Sequence, residues 1–167
     1  FENIDTIGSL LKVTKEEYEA IQVDGGLFGE NAKKLKSEAE YLSRGYHCVV
    51  TNPPYLGKGI SDDLKTFLAT YYTEGKADLY AAFILRATSM LVPKGFTGLV
   101  TMESWMFLSS FEELRNTLLR YYTILSLSHF DWSIMHIAFG TCAFIIHNCL
   151  NINIKGTYSY LSKEDMD

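Results

Sequence analysis

A short apolar run that ends at two prolines constrains the fold of this chain more than any other feature. Residues 46–51, YHCVVT, are β-formers, and Asn52-Pro53-Pro54-Tyr55 follows directly. A continuous apolar run between helical segments predicts a buried strand of a parallel sheet. Proline cannot continue a central strand, because it lacks the backbone N–H that a neighbouring strand would bond. The chain must therefore leave the sheet at the carboxyl end of this strand, which is the edge where open α/β sheets bind ligands.

The rest of the chain alternates between helical and strand patterns. Thr14-Lys15-Glu16-Glu17 matches a capping box, and Asp78 is a good N-cap for an apolar helix that a sheet would bury. The expected helices cover residues 14–22, 30–43, 61–72, 78–91 and 109–122, and the expected further strands cover residues 96–102, 124–130, 141–149 and 157–161. Helical crossovers of this length permit parallel pairing, so the order predicts a wound α/β sheet that ends in a hairpin-like pair.

Composition narrows the class of protein. The chain has 167 residues, 47% of them hydrophobic, and a net charge of −5, so it can build a core and does not bind nucleic acid through bulk positive charge. Its three cysteines form no C-x-x-C pair, which indicates a reducing compartment. No apolar run approaches the roughly 18 residues of a membrane span. We therefore expect a cytoplasmic protein that is not embedded in a membrane.

The histidine and cysteine residues of the C-terminal third do not predict a metal site. His129, His136, Cys142, His147 and Cys149 match none of the standard zinc spacings, and their segment has a strand pattern. The sequence also contains no G-x-S-x-G, no P-loop and no H-E-x-x-H. We expect no metal.

Asn52-Pro53-Pro54-Tyr55 is the feature that points to chemistry. From average composition, a tetrapeptide of this kind arises by chance in roughly one chain of this length in two thousand. A rigid turn after a strand is the simpler interpretation, since Asn-Pro is common in turns. The position of the motif at the carboxyl end of a strand favours a substrate-binding loop.

The motif and its surroundings resemble a family of enzymes. S-adenosylmethionine-dependent amino-methyltransferases carry a motif IV of the form (D/N/S)-P-P-(Y/F), and VVTNPPYLGKG looks like it. ADLYAAFILRATSMLVPKG and FTGLVTM look like motifs V and VI, and IAFGTCAFII looks like the region of motifs VII and VIII. The chain is most similar to the adenine-N6 DNA methyltransferases of bacterial restriction and phage-defence systems, including the BREX type. This implies an α/β fold, the C-terminal half of a Rossmann-like class I methyltransferase.

The resemblance implies a role for each residue of the motif. The lone pair of the adenine amino group is delocalised into the ring, so the nitrogen is a poor nucleophile. Acceptance of its two hydrogens by the side-chain oxygen of Asn52 and the carbonyl of Pro53 would turn the lone pair toward the methyl group of S-adenosylmethionine. Pro53 and Pro54 would hold the loop rigid, and Tyr55 would stack on an adenine flipped out of double-stranded DNA. No metal or strong base is needed.

Further residues are implied less directly. Ser9, in the context Gly8-Ser9-Leu10-Leu11, stands where the family often has an acid that contacts the cofactor, although an ordinary turn explains it equally well. Lys58 could meet a DNA phosphate, and an exposed loop lysine is the simpler interpretation. An aromatic residue of motif VIII often contacts the target base. Phe144 is the candidate here, although a position in the core explains it equally well, and His147 is the alternative.

The segments that such an enzyme uses to bind its cofactor are not recognisable in the sequence. We expect a glycine-rich turn and an acid at the end of a second strand in an upstream half of a longer protein, with a target-recognition domain after residue 167. Residues 1–45 are then a helical lead-in, 46–150 carry the motif and the later strands, and 151–167 form a terminal strand or linker. The segment alone should bind the cofactor poorly and be inactive.

Two other functions stay open at this point. The same tetrapeptide occurs in methyltransferases that act on protein glutamine, and an RNA base is a further possible acceptor. A non-catalytic module could also keep the fold for DNA docking or subunit assembly, although the intact motif argues against it.

Overall fold

The computed structural model describes residues 8–23, 29–56, 59–134, 138–151 and 153–166. The chain forms two compact units, Phe1–Gly45 and Tyr46–Asp167. No helix in the described ranges is both long and apolar enough to span a membrane.

The first unit is helical. A single 3-10 turn, Gly8–Leu10, precedes helix α1 at Lys15–Ala20 and helix α2 at Gly29–Ser43. The capping box predicted at Thr14 is confirmed: the Thr14 hydroxyl accepts from the backbone N–H of Glu17, and the Glu17 carboxylate accepts from the backbone N–H of Thr14. Lys36 of α2 donates to the carbonyl of Ile21, 2.9 Å away, which links the two helices.

The second unit is a mixed α/β sheet. Its strands are β1 at Tyr46–Thr51, β2 at Leu91–Met102, β3 at Thr123–Phe130, β4 at Thr141–His147 and β5 at Thr157–Leu161. Its helices are α3 at Asp62–Tyr71, α4 at Leu79–Ser89 and α5 at Glu112–Tyr121. The five strands lie in the order β1-β2-β4-β3-β5. The expected helices and strands of this unit are thus present, with ends that differ by a few residues.

The direction of β4 decides which residues meet at the site edge. β1 pairs parallel with β2, and β3 pairs parallel with β5, whereas β4 lies between β2 and β3 and runs antiparallel to both. Met102 at the end of β2 is therefore opposite Thr141 at the start of β4. The expected antiparallel pair exists, but β4 is inserted within the sheet rather than added at its end.

The core lies between the sheet and helices α4 and α5. Eight of the eleven residues of α4 are buried, as its apolar sequence predicted. Leu114 and Leu118 of α5 are fully buried in the same cluster, which includes Leu99 of β2 and Ile146 of β4. Burial of this apolar surface fixes the strand order and hence the position of each strand end.

Two expectations about strands are wrong. β1 was expected to be buried, but it is the edge strand of the described sheet, and Val50 is 77% exposed. Its apolar sequence indicates a covered strand, and the described residues of the second unit cover only one of its faces. β2 starts at Leu91 rather than at 96. The segment Pro93-Lys94-Gly95 forms a bulge, and β2 pairs with β1 both before and after this bulge. Lys94 adopts a positive φ of 64° in that bulge.

Candidate active site at the end of strand β1

The motif occupies the carboxyl edge of the sheet. Asn52 follows the last residue of β1; its side chain is exposed, as is Pro54, whereas Pro53 is buried and Tyr55 is half-buried. The fixed φ of the two prolines holds this loop without backbone hydrogen bonds to a neighbouring strand. The arrangement presents the Asn52 amide to solvent at the place where a substrate can reach it.

Tyr55 orients the Asn52 side chain. Its hydroxyl donates to Oδ1 of Asn52 at 2.7 Å and lies 3.4 Å from the carbonyl oxygen of Val100. Burial raises the pKa of the Tyr55 hydroxyl, and the nearby Cys142 thiol acts in the same direction. The hydroxyl therefore stays protonated at neutral pH and remains a donor. The Asn52 oxygen has two lone pairs, so it can accept a second hydrogen bond from a ligand.

The Tyr55 ring is held by two other aromatic rings. Tyr80 of α4 lies 6.3 Å away and Phe139 lies 5.6 Å away, both nearly perpendicular to it. Tyr80 is fully buried, and its hydroxyl is hydrogen-bonded to that of Ser104 at 2.9 Å. Phe139 is half-buried and stands two residues before β4. Phe139 is not among the residues that the motif predicts, although an aromatic residue beside Gly140 just before a strand is a usable signal.

Asp78 ties the loop to helix α4. Its Oδ1 accepts from the backbone N–H of Tyr80 at 3.3 Å, which is the helix cap that the sequence predicted. The same oxygen accepts from the backbone N–H of Leu56 at 3.2 Å. Burial raises the pKa of the Asp78 carboxyl, while the N–H donors of Tyr80, Leu56 and Leu79 oppose that shift. One carboxylate thus anchors both the helix and the residue that follows the motif.

Comparison with known proteins assigns the family. A family model named Eco57I restriction-modification methylase matches residues 5–134. The chain belongs to this family. The adenine-specific methyltransferase BrxX of Escherichia coli O9:H4 (strain HS) is 37% identical over 144 residues, which are 77% of this Eco57I-family chain and 12% of BrxX. The chain therefore spans about an eighth of the length of that curated relative.

Solved structures share the fold of this Eco57I-family chain. A Listeria monocytogenes protein described as a class I S-adenosylmethionine-dependent methyltransferase matches with a TM-score of 0.55 and 13% identity, over 84% of this chain and 48% of that one. A nuclease-deletion mutant of the Type ISP restriction-modification enzyme LlaGI, in complex with a DNA substrate mimic, matches with a TM-score of 0.54 and 21% identity, over 89% and 18% of the two chains. The expected Rossmann-like class I methyltransferase fold is confirmed.

The structure moves the expected motif VIII residue away from the site edge. Phe144 is in the middle of β4, is 2% exposed and packs against the ring of Trp105. His147, the alternative, ends β4 and pairs with Phe96, so it lies about 20 Å from the start of that strand. Because β4 runs antiparallel to β2, only its first residues and those just before it reach the edge of the motif. Phe139 satisfies that condition, and Phe144 does not.

The other two expected residues, Ser9 and Lys58, lie outside the described part of the motif loop. Ser9 lies in the 3-10 turn Gly8–Leu10 of the first unit, where it is exposed. Lys58 lies outside the described residues. The structure thus places Asn52, Pro53, Pro54 and Tyr55 together at one edge of the sheet.

Proposed function

We propose that this chain is the catalytic segment of a DNA adenine-N6 methyltransferase of a restriction-modification or phage-defence system, with S-adenosylmethionine as the methyl donor. The observation that carries the proposal is the exposed Asn52 amide at the carboxyl edge of the sheet, oriented by the Tyr55 hydroxyl. Membership of a restriction-modification methylase family and the similarity to an adenine-specific methyltransferase support the choice of adenine in DNA.

Asn52 and Pro53 act on the amino group through hydrogen bonds. Oδ1 of Asn52 and the carbonyl of Pro53 accept the two amino hydrogens, so the nitrogen lone pair is no longer aligned with the ring and becomes available for the methyl group. Tyr55 occupies one lone pair of Oδ1 and leaves the other for the substrate. After transfer, the nitrogen carries a positive charge and its proton is acidic enough to leave to water.

Tyr55 and Phe139 form the aromatic surface for the base. An adenine within a duplex cannot reach the edge of the sheet, so the base must be flipped out of the helix. Contact with an aromatic ring stabilises such a base by roughly 1–3 kcal/mol. We assign Phe139, in place of Phe144, as the second aromatic residue of the target-base pocket, because its ring lies 5.6 Å from that of Tyr55.

The residues that bind the donor lie mainly outside this segment in our proposal. S-adenosylmethionine supplies the electrophilic methyl group, and class I folds bind such a nucleotide at a glycine-rich turn after a strand. No strand within the described residues runs directly into a turn of that kind. We therefore assign no donor contact in the second unit. Ser9 stays a prediction for such a contact.

Further parts of a longer protein complete the enzyme in this proposal. The exposed edge and face of β1 support an upstream half that adds to the sheet, because strands of parallel sheets are ordinarily covered on both faces. A target-recognition domain would supply the positive surface that the acidic segment lacks. Lys58 stays a prediction for a phosphate contact. Such an enzyme works on DNA in the bacterial cytoplasm.

The test is methylation of plasmid DNA by the full-length protein. Plasmid from cells that express it should contain N6-methyladenine at one recurring sequence, and the Asn52→Ala variant should reduce that methylation by on the order of a hundredfold or more. A full-length protein that leaves plasmid adenines unmethylated but methylates RNA or a protein glutamine would overturn the DNA assignment. Full protection of DNA by the Asn52→Ala variant would instead support a non-catalytic docking role.

A further inference from the structure

A hydrogen-bonded pair crosses the start of β4 beside the proposed pocket. The Glu103 carboxylate contacts Nε2 of His129. Glu103 directly follows β2, and His129 is next to last in β3, so the two residues come from the strands on either side of β4. Both side chains are only partly exposed, at 34% for Glu103 and 22% for His129. The pair therefore lies over the chain just before the first residue of β4.

The residue beneath this pair is Gly140. The backbone N–H of Glu103 donates to the carbonyl of Gly140 at 3.1 Å. A Cβ added to Gly140 would lie within 2.8 Å of all three carboxylate atoms of Glu103, and these are its nearest neighbours. The carboxylate thus occupies the space where a side chain at position 140 would lie. Since Phe139 precedes Gly140, the backbone under the pair also sets the position of the Phe139 ring against Tyr55.

The residues around Glu103 and His129 favour a structural role for this pair rather than metal binding. The His129 ring lies 5.7 Å from that of Phe107 and 5.0 Å from that of Tyr160. The Tyr160 hydroxyl donates to Asp131 at 3.3 Å, so Asp131 is committed to a neighbour of the pair. Within the described part of the chain, no group of three histidine, cysteine or acidic residues is arranged to hold a metal ion. The rings confine His129, which in turn confines Glu103.

We propose that Glu103 and His129 are positioning residues that hold Gly140, and through it the Phe139 ring, in place against the target base. This inference rests on the proposed function, because it assumes that Phe139 contacts the flipped adenine. Misplacement of such a contact by about 1 Å can cost up to a hundredfold in rate. Glu103 touches neither substrate nor donor in this proposal, and its effect passes entirely through residues 139 and 140.

The test uses single-turnover methylation by the full-length protein on a duplex that contains its mapped target sequence. Glu103→Ala and Gly140→Ala should each lower the rate of methyl transfer by about tenfold to a hundredfold, with a smaller change in DNA affinity. In the Glu103→Ala background, Gly140→Ala should cause little further loss, because the carboxylate it would collide with is gone. In a Phe139→Ala background, Glu103→Ala should likewise have little further effect.

A fluorescent base gives a second readout that general destabilisation would not move. With 2-aminopurine at the target position, the bound DNA should fluoresce differently with Glu103→Ala than with the wild type, because the stacking of the base has changed. Glu113→Gln is the control for the loss of a carboxylate, because Glu113 is exposed in the first turn of α5. If Glu103→Ala lowers the unfolding temperature of the protein, Glu103→Gln replaces it in the same measurements, because Gln keeps nearly the same size.

The outcomes separate this inference from the function on which it rests. Adenine methylation by the wild type, together with variants that match it in rate and fluorescence, would overturn the positioning role alone. Equal losses from Gly140→Ala in the wild-type and Glu103→Ala backgrounds would also overturn it. A wild-type protein that does not methylate adenine would overturn the proposed function itself.

Discussion

The ring and the hydroxyl of Tyr55 have different roles that can be tested separately. Its ring contacts those of Tyr80 and Phe139 edge to face, and its hydroxyl orients the Asn52 amide from 2.7 Å. A stacking role needs only the ring, whereas an orienting role needs the hydroxyl. Substitutions that remove one without the other therefore measure each contribution.

Tyr55→Phe should lower the rate of methyl transfer by roughly threefold to tenfold, which corresponds to the loss of one hydrogen bond. Tyr55→Leu should lower it further and should also weaken binding of DNA that carries the target adenine, because stacking is lost as well. Single-turnover kinetics with DNA titration distinguish the two effects. Tyr121→Phe is the control, since Tyr121 is exposed at the end of α5. A Tyr55→Phe variant as fast as the wild type would show that Asn52 needs no help.

The residues of the motif could be predicted from the sequence, whereas the aromatic residue that packs beside it could not. Asn52 to Tyr55 are adjacent in the chain, and a strand that ends at two prolines places them without any knowledge of the tertiary structure. Phe139 is 84 positions after Tyr55, and it reaches the motif only because β4 runs back between β2 and β3. Phe144 comes from the same segment, and the sequence alone does not give its register on β4, which decides whether it lies in the core or at the edge. Distance along the chain, rather than residue type, limited the prediction.

The Asp78 carboxylate connects the motif loop to helix α4 through two hydrogen bonds. Asp78→Ala removes the acceptor for the N–H groups of both Tyr80 and Leu56, so we expect a loss of stability of about 1–2 kcal/mol and a larger loss of methylation activity. Asp78→Asn keeps a side-chain oxygen and should retain most of both. Chemical denaturation and single-turnover methylation give the two numbers. An Asp78→Ala variant with full activity would show that the loop does not depend on this anchor.

The pH dependence of stability provides an independent check on Asp78. Burial raises its pKa in the folded protein, so the folded state holds the proton more tightly than the unfolded chain does. The wild type should therefore lose stability relative to Asp78→Asn as the pH rises from 3.8 through the folded pKa. Asp62 is the opposite case, because its hydrogen bond to Lys65 lowers its pKa. The stability that Asp62 contributes should be lost as the pH falls. The wild type should therefore lose stability relative to Asp62→Asn as the pH falls, whereas it loses stability relative to Asp78→Asn as the pH rises.

Element boundaries were predictable where local chemistry sets them. Thr14 and Asp78 cap helices as the sequence predicted, and Ser61 caps α3 in the same way. The start of α5 differs from the expected helix over residues 109–122. The structure has a 3-10 turn at Ser109–Phe111, and Phe111 precedes the helix without a side-chain cap. Phe111 is buried in the core, so tertiary packing decided where this helix begins.

The helices of the second unit leave one face of its sheet uncovered by any described residue of that unit. Helices α4 and α5 pack on the other face, while Val50, Phe96 and Ile145 are 77%, 41% and 42% exposed. Gly98 pairs with both Val50 and Ile145, so these residues lie side by side across three strands. An apolar surface of this kind marks an interaction site. β1 is therefore exposed in this segment, and we expect it to be buried in the longer protein proposed above.

Cys48 reports on that interaction, because it lies two residues before Val50 on the same face of β1. Its thiol is exposed in this chain, whereas that of Cys142 is buried and that of Cys149 is partly exposed. In a Cys149→Ser background, Cys48 of the isolated chain should react with a thiol reagent at the rate of an unprotected thiol. In the longer protein, added layers should slow that reaction by at least about tenfold, since both faces of a parallel sheet are ordinarily covered. Equal rates in the two proteins would mean that this face stays open to solvent, and the proposed upstream half would then have to bind elsewhere.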